Sequence, residues 1–162
     1  MIKSEDFWDK LLQSEIQKNE YWKKKILDNT CKIHLAITVE QYLSLILCGE
    51  KTIESRFSIK KGIPYNSISK GDIVVLKKSG GDLVALFEAE TVQFKQVENG
   101  DFESIRKEYG EALCLEDEFW QKKKDAKYVT LIKIGHLQAI SPISVNKTNR
   151  QSWLSYESSA RK

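Results

Sequence analysis

Apolar side chains recur at Trp8, Leu12, Ile16, Trp22 and Ile26, close to helical spacing, and predict one long or two short amphipathic helices over residues 4–28. Ser4 reads as the N-cap, and Glu5 and Asp6 complement the helix dipole. The aromatic residues Trp8, Tyr21 and Trp22 are expected to dock this segment on the rest of the chain. Beyond Asn29 the period shortens to that of a strand, from Cys31 to Ile37. Thr38 and Gln41 then form a capping-box pattern that opens a short helix through Leu47, stopped by Gly49.

Alternation resumes from Thr52 to Ser58. The turn Lys70-Gly71-Asp72 feeds an apolar strand, Ile73 to Leu76, and Ser79-Gly80-Gly81-Asp82 closes a hairpin onto Leu83 to Phe87. Strands two to four thus read as a meander. Residues 98–126 return to helical spacing, with Gly110 as the expected turn between two helices. Tyr128 to Ile134 reads as a strand, and Pro142, Ile143 and Val145 as a short edge strand. Sequential strands with inserted helices predict an α+β fold around a small, curved, mostly antiparallel β-barrel. The expected division is an N-terminal helical extension (1–30), the barrel domain (31–156) and a polar tail (157–162).

Composition bounds what such a fold can do. The chain's 162 residues, 41% of them hydrophobic, suffice for one sizeable core. No apolar run approaches the roughly 20 residues a membrane helix needs, and the first residues lack a leader's apolar stretch, so a cytoplasmic protein is expected. Cys31, Cys48 and Cys114 are widely spaced among apolar neighbours and read as buried thiols. With only His34 and His136 beside them, a site without metal or cofactor is expected. The net charge of +3, from 26 basic and 23 acidic residues, leaves any nucleic-acid affinity to local clustering.

The strongest local signal is Gly49-Glu50-Lys51-Thr52-Ile53-Glu54-Ser55-Arg56. On a strand, Thr52, Glu54, Arg56 and Ser58 share one face and Ile53 and Phe57 the other, while Lys51 at the junction can reach over the sheet end. Such a face is either simply wetted, or it holds a phosphate or the edge of a heterocycle through the Arg56 fork and the Lys51 point charge.

The run Gly49-x-Lys51-x-x-Glu54-x-Arg56, followed by Lys70-Gly71-Asp72 and an apolar strand, resembles the ASCH domain of the PUA-like superfamily. The likeness extends from about Ile33 to Ile134. It includes Glu108-Tyr109-Gly110-Glu111 ahead of a helix with Phe119 and Trp120, similar to the late Glu-Gly-Glu and aromatic helix of many ASCH domains. The resemblance implies a β-barrel surrounded by helices with a cleft beside the Gly-x-Lys motif. It also implies a function among RNA binding, ribonuclease activity and amide hydrolysis of N4-acetylcytidine. Carried over residue by residue, it makes Lys51 the activating lysine and Glu111 the acid, but Glu54 stands where the hydrolases have their nucleophilic threonine.

The reading that follows is an ASCH-like domain binding RNA, a nucleotide or a modified base through Lys51, Glu54 and Arg56, with Lys77 and Lys78 adding phosphate contacts. Lys60, Lys61 and Lys122 to Lys124 would extend the basic track, although charged helix faces are commonly just solvated. Phe57, Tyr65 and Trp153 are the candidates for stacking on bases. A hydrolase with Lys51 and either Glu54 or Glu111 as general base is the alternative. A protein-interaction module acting through the N-terminal helix is a third. Asp72 is expected to cap backbone amides at its turn.

Overall fold

A computed structural model describes residues 9–11, 13–28, 30–146 and 150–156; the predicted Ser4 cap, Trp8, Leu12 and the 157–162 tail lie outside these. A 3-10 turn, Glu15–Lys18, precedes α1 (Glu20–Asp28). Then follow β1 (Ile33–Thr38), α2 (Glu40–Leu47), β2 (Ile53–Ser58), β3 (Ile73–Lys78) and β4 (Leu83–Gln96). The remaining elements are α3 (Asp101–Leu113), α4 (Asp117–Lys122), β5 (Tyr128–Ile143) and β6 (Trp153–Tyr156). The strands form one six-stranded sheet in the order β2-β5-β4-β3-β1-β6, curled into a half-barrel.

The expected curved α+β architecture is what forms, but the expected meander does not. Only β3 and β4 are hairpin neighbours; β2 pairs with β5 at one edge, and β1 lies parallel to β3. The 14 residues of β4 and 16 of β5 exceed the predicted lengths, and the Pro142–Ile143 segment is the far end of β5 rather than a separate strand. Three register shifts along this pair bend it. A bulge raises local twist, so two long ribbons can wrap the barrel without breaking.

Period-two alternation sorts the side chains. Ile33 and Leu35 of β1 join Ile73 and Val75 of β3 in a cluster covered by Leu11, Ile16, Trp22 and Ile26. Ala36, Val74 and Leu76 point the other way, into the barrel, where Leu43 and Ile46 of α2 and Trp153 close over them. A third cluster packs Ile105, Leu113 and Trp120 of α3 and its surroundings on Phe57, Val129 and Leu131. Burying side chains such as Trp22 or Ile26 contributes about 1.5–3 kcal/mol each, which is why the N-terminal segment stays on the domain. Asn19 caps α1, its Oδ1 accepting the Trp22 amide at 3.2 Å. Among the described residues no helix is long and apolar enough to cross a membrane.

Three local expectations need correction. Thr38 is the last residue of β1 and makes no capping bond; Val39 stands at the start of α2. Helix α3 runs through Gly110 and ends where Cys114 turns left-handed at φ 52°. A lone glycine costs a helix about 1 kcal/mol, which the packing of Ile105 and Leu113 overrides. Cys48 is exposed at the end of α2, and Cys31 and Cys114 are half-buried, so none of the thiols is fully enclosed.

Candidate functional site

Gly49, at φ +87°, reverses the chain after α2, and its amide closes onto Ile46 O. The turn delivers Lys51 into the interior, where only 2% of it is exposed. Its backbone is fixed by Leu45 O, and its Nζ donates to Leu113 O at 2.5 Å. Leu113 is the last residue of α3, where carbonyls lack helical partners and the dipole is negative, so Lys51 caps that helix. The ammonium also lies 5.6 Å from the centre of the Tyr42 ring. Burial pushes the Lys51 pKa below the ordinary lysine value; Glu54 and Cys114 oppose that shift and Arg56 adds to it.

Glu54 is likewise buried, with 5% exposed. Its Oε1 accepts the Ser55 amide at 2.8 Å, and its Oε2 approaches Arg56 Nη2 only to 3.9 Å. Arg56 bridges the two ends of the curled sheet: Nη2 donates to Ile37 O of β1 at 3.1 Å and Nη1 to Ser152 O at 3.5 Å. Its guanidinium sits 5.1 Å from the centre of the Trp153 ring, in cation–π contact.

These residues wall a cavity of about 440 Å³ at the unpaired edge of β2, closed on the other sides by Tyr42 of α2 and by Phe119, Lys122 and Lys123. Phe119 and Tyr42 meet edge to face at 5.9 Å. Four buried polar atoms of the described residues have no hydrogen-bond partner: Thr38 Oγ1, Glu54 Oε2, Ser55 Oγ and Arg56 Nε. All four belong to residues lining this one cavity. Buried polar atoms are nearly always satisfied, so four orphans gathered in residues around one cavity set this place apart from the rest of the described structure.

Lys51, Glu54 and Arg56 are therefore brought together as the sequence motif suggested. The remaining candidates lie elsewhere. Glu111 is exposed on α3 and is absent from the cavity wall. Lys77 is buried at the end of β3, and Lys78 is paired with Glu40 at 2.9 Å; neither lines the cavity. Phe57 reaches the cavity but packs mainly against Phe102, Phe119 and Trp120, and Tyr65 packs on Phe94 and Tyr128. Asp72 caps its turn, accepting the Ser69 amide at 2.9 Å and the Lys32 amide at 3.1 Å. Thr38, Ser55 and Tyr42 were not legible as site residues, because no local pattern says that the start of α2 faces the free edge of β2.

Two solved structures show the same arrangement of elements. The crystal structure of ASCH from Zymomonas mobilis is 14% identical with a TM-score of 0.63, covering 82% of this chain and 92% of its own. A serine-to-alanine mutant of that protein gives a TM-score of 0.62 at 14% identity, over 77% of this chain and 88% of its own. No family model and no curated protein matches the sequence. The fold is ASCH-like.

Proposed function

We propose that this ASCH-like fold binds a nucleobase, carried by a nucleotide or as a modified base, in the cavity beside β2. The observation that carries the reading is the gathering of Lys51, Glu54, Ser55 and Arg56 with Tyr42 and Phe119 as the lining residues of one cavity. These residues bring hydrogen-bonding side chains of both kinds, donor and acceptor, to one place, as recognition of a heterocycle requires. Tyr42 and Phe119 offer apolar ring surface beside them. A volume of about 440 Å³ falls in the range of small-molecule sites.

The surrounding charges favour a small ligand over a long RNA strand. Lys78 is paired with Glu40 and Lys122 with Glu118 at 3.2 Å, so two lysines of the expected basic track are already neutralised. A polyanion needs free cations along its path. A cytoplasmic setting, where free nucleotides abound, belongs to the same proposal.

Hydrolysis is a second reading, favoured by one observation: burial lowers the Lys51 pKa beside a carboxylate with an unused oxygen. The Glu54 carboxylate would then take a proton from water attacking an amide carbonyl, Lys51 would steady the oxyanion, and Glu54 would return the proton to the departing amine as the C–N bond breaks.

Titration calorimetry with free nucleosides and nucleotides, followed by chromatography of the recovered ligand, tests both readings. Binding that weakens at least about tenfold in Arg56→Ala, with ligand recovered intact, supports binding alone. Wild type and Arg56→Ala binding equally would place the site elsewhere. Ligand recovered as cleaved product, with cleavage lost in Lys51→Met, would establish the hydrolytic reading.

A further inference from the structure

We infer that the concavity between the end of α1 and the turn Lys70-Gly71-Asp72 is a ligand site of its own, which takes a phosphate group in its dianionic form. It lies at the other end of β1 from the cavity beside β2. Lys32, just ahead of the strand, lines it, whereas Ile37 and Thr38 at the strand's end line that cavity. Six strand residues span about 20 Å, so the two places are separate.

Lysines from three stretches of chain wall a space of about 380 Å³: Lys25 from the last turn of α1, Lys32, and Lys70 from the turn. The Lys25 ammonium is held by Glu88 Oε1 at 2.7 Å and stands 3.7 Å from the point where a Cβ on Gly71 would lie. Gly71 has none, and its φ of +93° favours glycine, so the ammonium looks onto bare backbone. Lys32 is held at both ends, its amide donating to Asp72 Oδ1 at 3.1 Å and its Nζ to Ser67 O at 3.2 Å. Lys70 is exposed and has no ion-pair partner among the described residues.

The one carboxylate among the lining residues, Asp72, is already spent. Besides the Lys32 amide it accepts the Ser69 amide at 2.9 Å and lies 2.9 Å from His34 Nε2, and only 4% of it is exposed. It fixes the turn from within and offsets little of the charge around the opening. Ser69 adds an exposed hydroxyl. A phosphate suits such a wall because it carries nearly two negative charges on three terminal oxygens, so it can take lysine donors arriving from different directions. A carboxylate, with one charge on two oxygens, answers fewer of them.

Titration of the isotope-labelled full chain with inorganic phosphate at about pH 8 and constant ionic strength, read by amide NMR, tests the assignment. Wild type is expected to show saturable shifts of the Ser69, Lys70 and Gly71 amides that chloride does not produce. Lys70→Gln should weaken phosphate about threefold or more, while Lys124→Gln, which removes the same charge outside this wall, should change it less. Glu88→Gln keeps an oxygen for Lys25 and removes the charge that competes for its ammonium. Phosphate should then tighten about twofold or more, a gain that a damaged fold cannot produce. Phosphatidylcholine vesicles with and without a phosphatidylinositol phosphate separate the sources: capture by the former alone, lost in Lys70→Gln, assigns a lipid headgroup, and phosphate shifts without capture assign a free phosphate ester. The inference is overturned if neither phosphate nor these vesicles bind, if Lys70→Gln and Lys124→Gln weaken binding alike, or if Glu88→Gln binds no tighter.

Discussion

Trp153 donates its indole Nε1–H to Nδ1 of His34 at 3.1 Å, while Arg56 lies over the face of the same indole. An indole nitrogen can only donate, so Nδ1 must be the accepting nitrogen and the His34 proton sits on Nε2, directed at Asp72 Oδ2 at 2.9 Å. Ser155 Oγ is also 2.8 Å from Nδ1. A buried network thus runs from the turn at Asp72, through His34, to the ring on which Arg56 is laid.

His34→Leu removes the shared partner of Trp153, Ser155 and Asp72 and leaves buried polar atoms unpaired. A loss of about 2–4 kcal/mol in unfolding free energy is expected from urea denaturation. A change below about 0.5 kcal/mol, the range of ordinary surface substitutions, would show that the network contributes little. Nitrogen NMR of the wild-type ring should find Nδ1 unprotonated.

The Lys51 ammonium gives a pH test. Its pKa in the folded protein lies below the unfolded value of 10.5 because burial disfavours the charge. Between the two values the unfolded chain binds more protons, so stability rises with pH. The contribution is complete above 10.5 and is lost as pH falls through the folded value. Wild type should therefore gain on Lys51→Met as pH climbs toward 10.5, measured as the difference between their denaturation free energies. A flat difference would mean that Lys51 keeps its proton as readily inside as outside.

Tyr21 stacks on His136 with 3.9 Å between ring centres, and its hydroxyl donates to Glu88. Partial burial first, and the Glu88 carboxylate second, push its pKa up to about 12. The folded value exceeds the unfolded one, so this contribution is whole below pH 10.0 and fades as pH rises through about 12. Ultraviolet titration of the phenols should show a late phase near that pH that is missing from Tyr21→Phe. If the variant keeps the late phase, the group responsible is another tyrosine.

How much of this was readable beforehand depends on the range of the determinant. The turn at Gly49 and the run from Lys51 to Arg56 were legible because a strand and a glycine impose their geometry over a few residues. That Glu54 is buried was not, since alternation assigns faces and cannot say whether a face meets water or another element. Glu111 looked like a partner of Lys51, yet what α3 supplies there is the Leu113 carbonyl. The bridge from Arg56 to Ile37 and Ser152 depends on the curl of the whole sheet, and no pairwise pattern in the chain encodes that.

The pairing of β1 with β6 has a temporal side. His34 faces Ser155, 121 positions later, and the same late strand supplies the ring beneath Arg56. Contacts of such long separation come late and slowly in folding. On the ribosome, β1 therefore waits with one edge bare until Trp153 has emerged, and the contact between Arg56 and its ring can form only after that moment. Nascent chains halted before β6 should hold much of the sheet and none of the contacts Arg56 makes with Ser152 and Trp153, which makes the closing of that corner a clock for the last step of folding.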